Sequence, residues 1–448
     1  MPIRDIAVTL VVSLGLMYVF KHPAVAAYLW AWISVMTPQT MTYGFALGFP
    51  FAQVVAVAAL LVVAFTAKKQ LLPLNSLTGL WLALLVWMSV TSLFSMAPDG
   101  WTSERWIFVM KIQLMLFVSL MLVRTGQELR ILVYVVTLSL AYFGVKGGYF
   151  TIATGGGARV WGPGNSLLGG NNELAVGLVI ILPFVYWMRQ TLDNKWIKRG
   201  LLATMVLCVF SILGSQSRGG LLALLVVGLF LGVKSAYPVR MTVGLLALVA
   251  AAIAFMPSTW NQRMDTIAEY KDDSSAMSRI YIWRTLTNAA LSRPLVGAGF
   301  RADNMTVFNA YAPQGIEWDG FRGRPLVAHS IYFQMLGEHG FVGLALYFAF
   351  WGTVWRRATS TAKRAMAFAE LSNWLPLLMR MSQVSLLGFA AGGAFLSLAY
   401  LDLTYYIAGF VLLGSMLLAK TQLAPIAGTA TAAPGAGVQS SQPLLQKV

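Results

Sequence analysis

Charge is what this 448-residue chain has least of. Asp, Glu, Lys and Arg together make up 11%, against about 25% in soluble domains. That shortage excludes a water-soluble domain large enough to carry its own core. Cysteine is nearly absent. Cys208 is the only one, so no intramolecular disulfide can form and the redox compartment is left undetermined. The three histidines, His22, His329 and His339, are too scattered to form a metal set. Acidic spacing of the DxD type, which would hold a metal-bound sugar nucleotide, is missing, and Asp272-Asp273 reads as a solvated pair in a charged loop. Neither a metal nor a cofactor is implied. Acidic side chains number 16 against 32 Lys and Arg, a net charge of +16. Much of the excess lies in short loops, where it sets orientation. No finger, nucleic-acid fold or basic-aromatic repeat accompanies it, which excludes a nucleic-acid partner.

What fills the chain is apolar sequence, 58% of residues. Runs of roughly 16–22 residues recur almost from end to end, the signature of a polytopic membrane protein. Candidate spans cover 5–20, 23–37, 50–67, 75–94, 106–123, 129–148, 173–189, 199–215, 219–234, 239–256, 327–354 and a long run at 387–420 interrupted at Leu401-Asp402. The expectation is an all-α integral membrane protein with about 12 transmembrane helices. Its first span is retained, because apolar sequence follows it at once and no small-residue cleavage site ends it. Residues 1–420 form a single domain that includes a large outer loop, 257–326, and 421–448 form a disordered cytoplasmic tail rich in Ala, Pro, Gly and Ser. Segment 365–386 mixes Leu, Trp and Met with Glu370 and Arg380. It reads either as an amphipathic surface piece or as a connector.

Basic loops at 67–69, 124–130, 195–199, 234–240 and 356–363 fall on alternate turns and mark one cytoplasmic face. The opposite face, periplasmic in a bacterium, then receives 95–105, 151–172, the turn at 216–220 and the loop 257–326. Arg218, in LGSQSRGGLL, lies 18 residues beyond Gly200, about 27 Å along a helix, and so near the outer interface. It is either an interfacial snorkelling arginine or part of an anion site. The string lacks the lysine and spacing of a phosphate-binding P-loop. Arg159 and Arg279 share that side. The planar guanidinium fork matches phosphate oxygens, so an arginine-rich outer segment is a candidate phosphate receiver. Arg284 is five residues from Arg279, displaced by about 140° on a helix, and need not serve the same partner.

Two histidines stand in AHSIYFQMLGEHGFVG, residues 328–343. His329 begins an apolar run at the membrane–water boundary. It is either an ordinary boundary residue or a base able to take a proton from a hydroxyl near neutral pH. His339 is ten residues on, about 15 Å along a regular helix, so one compact site does not easily use both. His339 beside Glu338 reads as structural or as part of a second polar patch.

These residues resemble the O-antigen ligase and polymerase superfamily of bacterial polytopic membrane proteins. The pattern is His329-Ser330, nine residues, Gly340, two residues, Gly343. Supporting matches are QSRGG at 216–220, SRIYIWR at 278–284, SRPLVGAGF at 292–300 and RVWGPGNSLLGGNNELA from Arg159. The resemblance implies a fold like that of helical membrane glycosyltransferases of the GT-C type, in the bacterial inner membrane with its cavity open to the periplasm. It implies His329 as catalytic base and Arg218 and Arg279 as pyrophosphate-binding residues, with Arg159 third and Arg284 fourth. The donor it implies is a glycan on undecaprenyl pyrophosphate. The acceptor is lipid A-core, in a metal-independent, inverting transfer that completes lipopolysaccharide. Rival expectations with the same donor are a protein O-oligosaccharyltransferase and an O-antigen polymerase. A glycolipid transporter would need polar residues strung through mid-membrane helices and internal repeats, whereas the polar groups here gather on one face.

Overall fold

A computed structural model describes residues 3–164, 166–234, 238–255, 257 and 274–423. Among these the chain is all helical. In order the helices are α1 (Ile3–Tyr18), α2 (Ala24–Met36), α3 (Phe45–Gly48), α4 (Phe51–Phe65), α5 (Ser76–Ser92), α6 (Trp101–Leu122), α7 (Gly126–Ala153), α8 (Asn171–Thr191), α9 (Lys195–Gly214), α10 (Arg218–Lys234) and α11 (Pro238–Phe255). They continue with α12 (Ser274–Ser292), α13 (Met305–Tyr311), α14 (Ile331–Ala365), α15 (Ala369–Ser372), α16 (Leu375–Gly393) and α17 (Asp402–Leu423). Five of them, α6, α7, α8, α9 and α17, are long and apolar enough to cross a membrane by length and composition. Four shorter apolar helices, α2, α4, α5 and the first 15 residues of α10, join them. Residues 258–273 of the expected outer loop, with Asp272-Asp273, and the tail from 424 onward lie outside the described residues.

The composition of each helix decides its depth. α8 is apolar all round, with Leu174 to Val185 buried without a break, and α17 is buried from Leu403 to Gly414. A helix hydrophobic on every face belongs inside a bundle. Helices with exposed Leu, Phe and Ile, such as α6 with Ile107, Phe108 and Leu114, present those side chains outward, as a lipid-facing surface requires. α7 and α9 approach closely through Gly144, Gly147 and Gly148. A side chain at these positions would meet Cys208, Ser211 and the Leu207 carbonyl, which is the small-residue contact by which membrane helices pack.

One expectation is corrected. Of the segment 365–386, residues 366–374 do connect two helices, through the short α15, but residues 375–386 are neither a surface piece nor a connector. They belong to α16, which packs against α8, α10 and α14 and buries Leu378, Met379, Met381 and Val384. Arg380 is exposed and gave the segment its amphipathic look. The apolar run 387–420, too long for one span, holds the end of α16, a loop at 394–401 and most of α17, which begins at the Asp402 where the run is interrupted.

Above this bundle α12, α13 and the segment 316–328 build a small satellite core. Tyr281, Ile282, Leu286, Phe308, Trp318 and Ala328 are buried in it. This core carries α12 across the start of α14 and so places the site.

Candidate active site

The HS-x9-G-x2-G pattern is explained by one break. Within α14, Gly340 takes φ +69° and ψ −172°, a conformation that favours glycine. A Cβ there would also strike the Pro294 and Leu295 carbonyls. The break deprives the carbonyls of Gly337 and Glu338 of their next-turn donors. The SRPLVGAGF segment supplies replacements. Ala298 N–H donates to Gly337 O at 2.8 Å, Gly299 N–H to Glu338 O at 2.9 Å, and Phe341 N–H to Pro294 O at 2.8 Å. Gly297 and Gly299 have φ of +62° and +77°, which lets the loop turn tightly enough to reach. Two motifs that are 30–40 residues apart in sequence are thus one hydrogen-bonded unit.

His329 stands just before α14, at φ +46°. A left-handed backbone at a residue other than glycine is held by its surroundings, and such positions concentrate at functional sites. Two bonds hold it. Its own N–H donates to Ser397 Oγ at 2.8 Å, and Trp283 Nε1 donates to the neighbouring Ala328 carbonyl at 2.8 Å. Trp283 also stacks on Phe333, with centroids 4.9 Å apart and planes within 10°. The imidazole itself makes no hydrogen bond among the described residues and is half-buried. Burial, and then the positive charge of Arg279, keeps it below its usual pKa. It is therefore a neutral base with a free ring nitrogen at neutral pH.

The arginines divide. Arg279 is within electrostatic range of His329, one turn of α12 before Trp283. Arg218 is the first residue of α10, where Gln216 at φ +57° and the Gly220 N–H donation to Ser217 Oγ at 3.0 Å form the turn. Gly219 beside it packs on Phe395, two residues before the Ser397 that holds His329. Arg159 lies one loop further out, over the Trp161 ring at 5.8 Å. Its loop is tied to the end of α9 by Val160 N–H to Gly214 O at 3.0 Å and, through Asn171 Nδ2, to Ser215 O at 2.8 Å. Arg284 takes a different place. It is exposed and lies over Trp318 at 5.3 Å, on the satellite core rather than beside His329. The 140° offset along α12 is the reason.

A cavity of 220 Å³ borders the same segment, lined among others by Ala328, Ser397, Arg105, Arg301, Gln334 and Glu338. It is smaller than the roughly 300–1,000 Å³ of drug-sized pockets and suits one sugar ring or one charged group. Behind it lies a buried network. His339 Nδ1 is hydrogen-bonded to Thr91 Oγ1 at 2.6 Å and Nε2 to Tyr400 OH at 2.7 Å. Tyr400 OH donates to Glu338 Oε2, and Arg301 N–H donates to Glu338 Oε1 at 3.2 Å.

The residues from α9 to the middle of α14, which carry Arg218, Arg279 and His329, also carry the chain's likeness to known proteins. The family model described as O-Antigen ligase matches residues 203–348. Over that third of its length the chain is similar to the O-antigen ligases. A family of unknown function (DUF5935) matches residues 3–193, and no curated protein matches the chain.

That similarity supports activity of the O-antigen ligase or polymerase type. Sequence reasoning missed Ser397, Arg105 and Arg301 in this arrangement. Ser397 left no signal, since it comes from a loop 68 residues away in the chain. Arg105 and Arg301 left none either, because the rings they cover are, Phe108 apart, distant in the chain. Arg105 lies over Phe108 and Tyr400, and Arg301 over Trp101. Among the described residues no group of three or more His, Cys, Asp or Glu is arranged to hold a metal ion.

Proposed function

We propose that the protein transfers a glycan en bloc from undecaprenyl pyrophosphate to a sugar hydroxyl of lipid A-core, at the periplasmic face of the bacterial inner membrane. The observation that supports this most is the pairing of a neutral, strained, half-buried His329 with the Arg279 guanidinium. In this reading the acceptor hydroxyl approaches past the 220 Å³ cavity and gives its proton to the free nitrogen of His329 as its oxygen attacks the anomeric carbon. The bond from that carbon to the pyrophosphate oxygen breaks, and the electron pair leaves with the pyrophosphate. Arg279 and Arg218 stabilise the charge that develops there, and Arg159 meets the outer phosphate or first sugar. A single displacement inverts the anomeric centre, and no step requires a metal ion.

The test is reconstitution with a defined undecaprenyl-pyrophosphate glycan, offered lipid A-core, an acceptor peptide and a second lipid-linked glycan in separate reactions. The mass of the product assigns the acceptor. Glycosylated lipid A-core is expected. Product on the peptide alone would make the protein an O-oligosaccharyltransferase, and extension of the lipid-linked glycan alone would make it a polymerase. Turnover lost to a chelator and restored by a divalent ion would overturn the metal-free mechanism.

A further inference from the structure

The end of the bundle opposite His329 holds a second polar cavity that glycan transfer does not use. α14 begins at Ile331 and carries Arg356, Arg357 and Arg364 in its last turns. Those positions are roughly 38–50 Å further along the helix path, about one membrane thickness. The three arginines line a cavity of 550 Å³ together with Ser76, Thr361 and Ser415, between the start of α5 and the last turns of α14 and α17.

No Asp or Glu lines this cavity, and among the described residues none of the three arginines has a carboxylate within ion-pair distance. Their hydrogen-bond partners are neutral. Arg357 Nη2 donates to Ser76 Oγ at 3.4 Å and Arg364 Nη2 to Gln422 Oε1 at 2.8 Å. Lys420, the nearby cation on α17, is occupied elsewhere, donating to Gln70 Oε1 at 2.8 Å and to the Arg124 carbonyl at 3.3 Å. Orientation of the chain needs basic residues on this face, but it does not need three of them converging on one cavity. The helix dipole accounts for Arg364 in the last turn of α14 and not for Arg356 and Arg357, since its influence fades within one turn.

Three guanidinium groups facing one space repel one another unless an anion enters. Guanidinium forks and hydroxyl donors are the partners phosphate oxygens take. Ser76, the first residue of α5, adds a hydroxyl to the same wall. Leu418, buried, and Ala419, exposed, are the apolar residues of the lining, the side on which acyl chains would leave the headgroup. We propose that this cavity binds the headgroup of an anionic phospholipid of the basic-loop leaflet, and that its three positive charges select a headgroup with two phosphodiesters over one with a single phosphate. A lipid seated there ties α5 to α14 and α17 at the end remote from the reaction.

The test uses the full chain in detergent, titrated separately with diphosphatidylglycerol, phosphatidylglycerol and phosphatidylcholine. Bound lipid is read by native mass spectrometry and the unfolding midpoint by a thermal scan. Diphosphatidylglycerol should be retained at least tenfold better than phosphatidylcholine and should raise the midpoint. The triple variant Arg356→Gln, Arg357→Gln, Arg364→Gln should lose that preference tenfold or more. Because it removes charges that help orient the chain, Ala419→Trp serves as the second variant: it fills the cavity mouth, leaves every charge in place and should lose the lipid as well. Retention unchanged in Ala419→Trp, or equal retention of all three lipids by the unmodified chain, overturns the proposal. Displacement of the lipid by inorganic phosphate at the same concentration would make this a free-phosphate site and overturn the lipid assignment. His329→Ala should bind lipid as the unmodified chain does, whatever it does to transfer.

Discussion

His329 and His339 belong to one sixteen-residue stretch, and the structure gives them opposite surroundings. His329 is half-exposed, sits on a left-handed backbone and has an imidazole without a hydrogen-bond partner among the described residues. His339 is fully buried, and both its ring nitrogens are hydrogen-bonded, to Thr91 and Tyr400. Its carbonyl accepts from Trp87 Nε1 at 3.1 Å as well. A general base needs an open nitrogen and a route for its substrate, whereas a structural imidazole needs the reverse. Histidine content therefore says little about chemistry until the hydrogen bonds are counted. By that count the second histidine fastens α5 to α14 and to the loop after α16.

The comparison can be broken most sharply by exchanging the two losses. His329→Ala should lower kcat/KM for glycan transfer by about 10²–10⁴-fold, the usual worth of a general base, with membrane insertion unchanged. Near-normal turnover would remove His329 as the base. His339→Ala should act on stability instead. It removes two buried hydrogen bonds, to Thr91 and Tyr400, at a cost of about 1–3 kcal/mol that a lowered thermal midpoint would report, while the folded fraction keeps its transfer rate within a few-fold.

Arginines sharpen the contrast next. Arg279→Ala and Arg218→Ala should each reduce kcat/KM by roughly 10–100-fold, the range for a lost hydrogen bond to a charged group. Arg284→Ala should stay within a few-fold, because it lies over Trp318. A loss at Arg284 as large as that at Arg279 would break this division.

The smallest effect concerns pH. Burial and Arg279 hold the His329 imidazole below its ordinary value, so the neutral base persists to lower pH. The acid limb of kcat/KM should then fall below about pH 6.5. Arg279→Gln removes the cation that disfavours imidazolium, and the limb should move upward. Movement downward would contradict the sign.

The sequence made some of this legible and hid the rest for physical reasons. Long apolar runs announce membrane helices because bilayer thickness sets their length, and α6, α7, α8, α9 and α17 match that reading. The His329 pattern was visible because its glycines are fixed by backbone geometry, Gly340 by its positive φ and Gly343 by the His339 side chain against it. α16 was misread because Arg380, its exposed residue, made a packed helix look like a surface one. Ser397 and Arg105 were invisible because their link to His329 and Glu338 is made by folding alone, across 68 residues for Ser397. The placing of Arg284 was half legible: its angle from Arg279 could be computed, but Trp318 could not be foreseen as its neighbour.

The close packing of α7 on α9 has a practical consequence. It seals Cys208 beneath Gly144, fully out of reach of water, so the natural chain is silent to membrane-impermeant thiol reagents. A cysteine introduced at position 327, exposed and two residues from His329, would be this chain's sole reactive sulfur. Its labelling from outside the inner membrane, or failure to label, would decide on which side the imidazole works, with no cysteine-free background to build first.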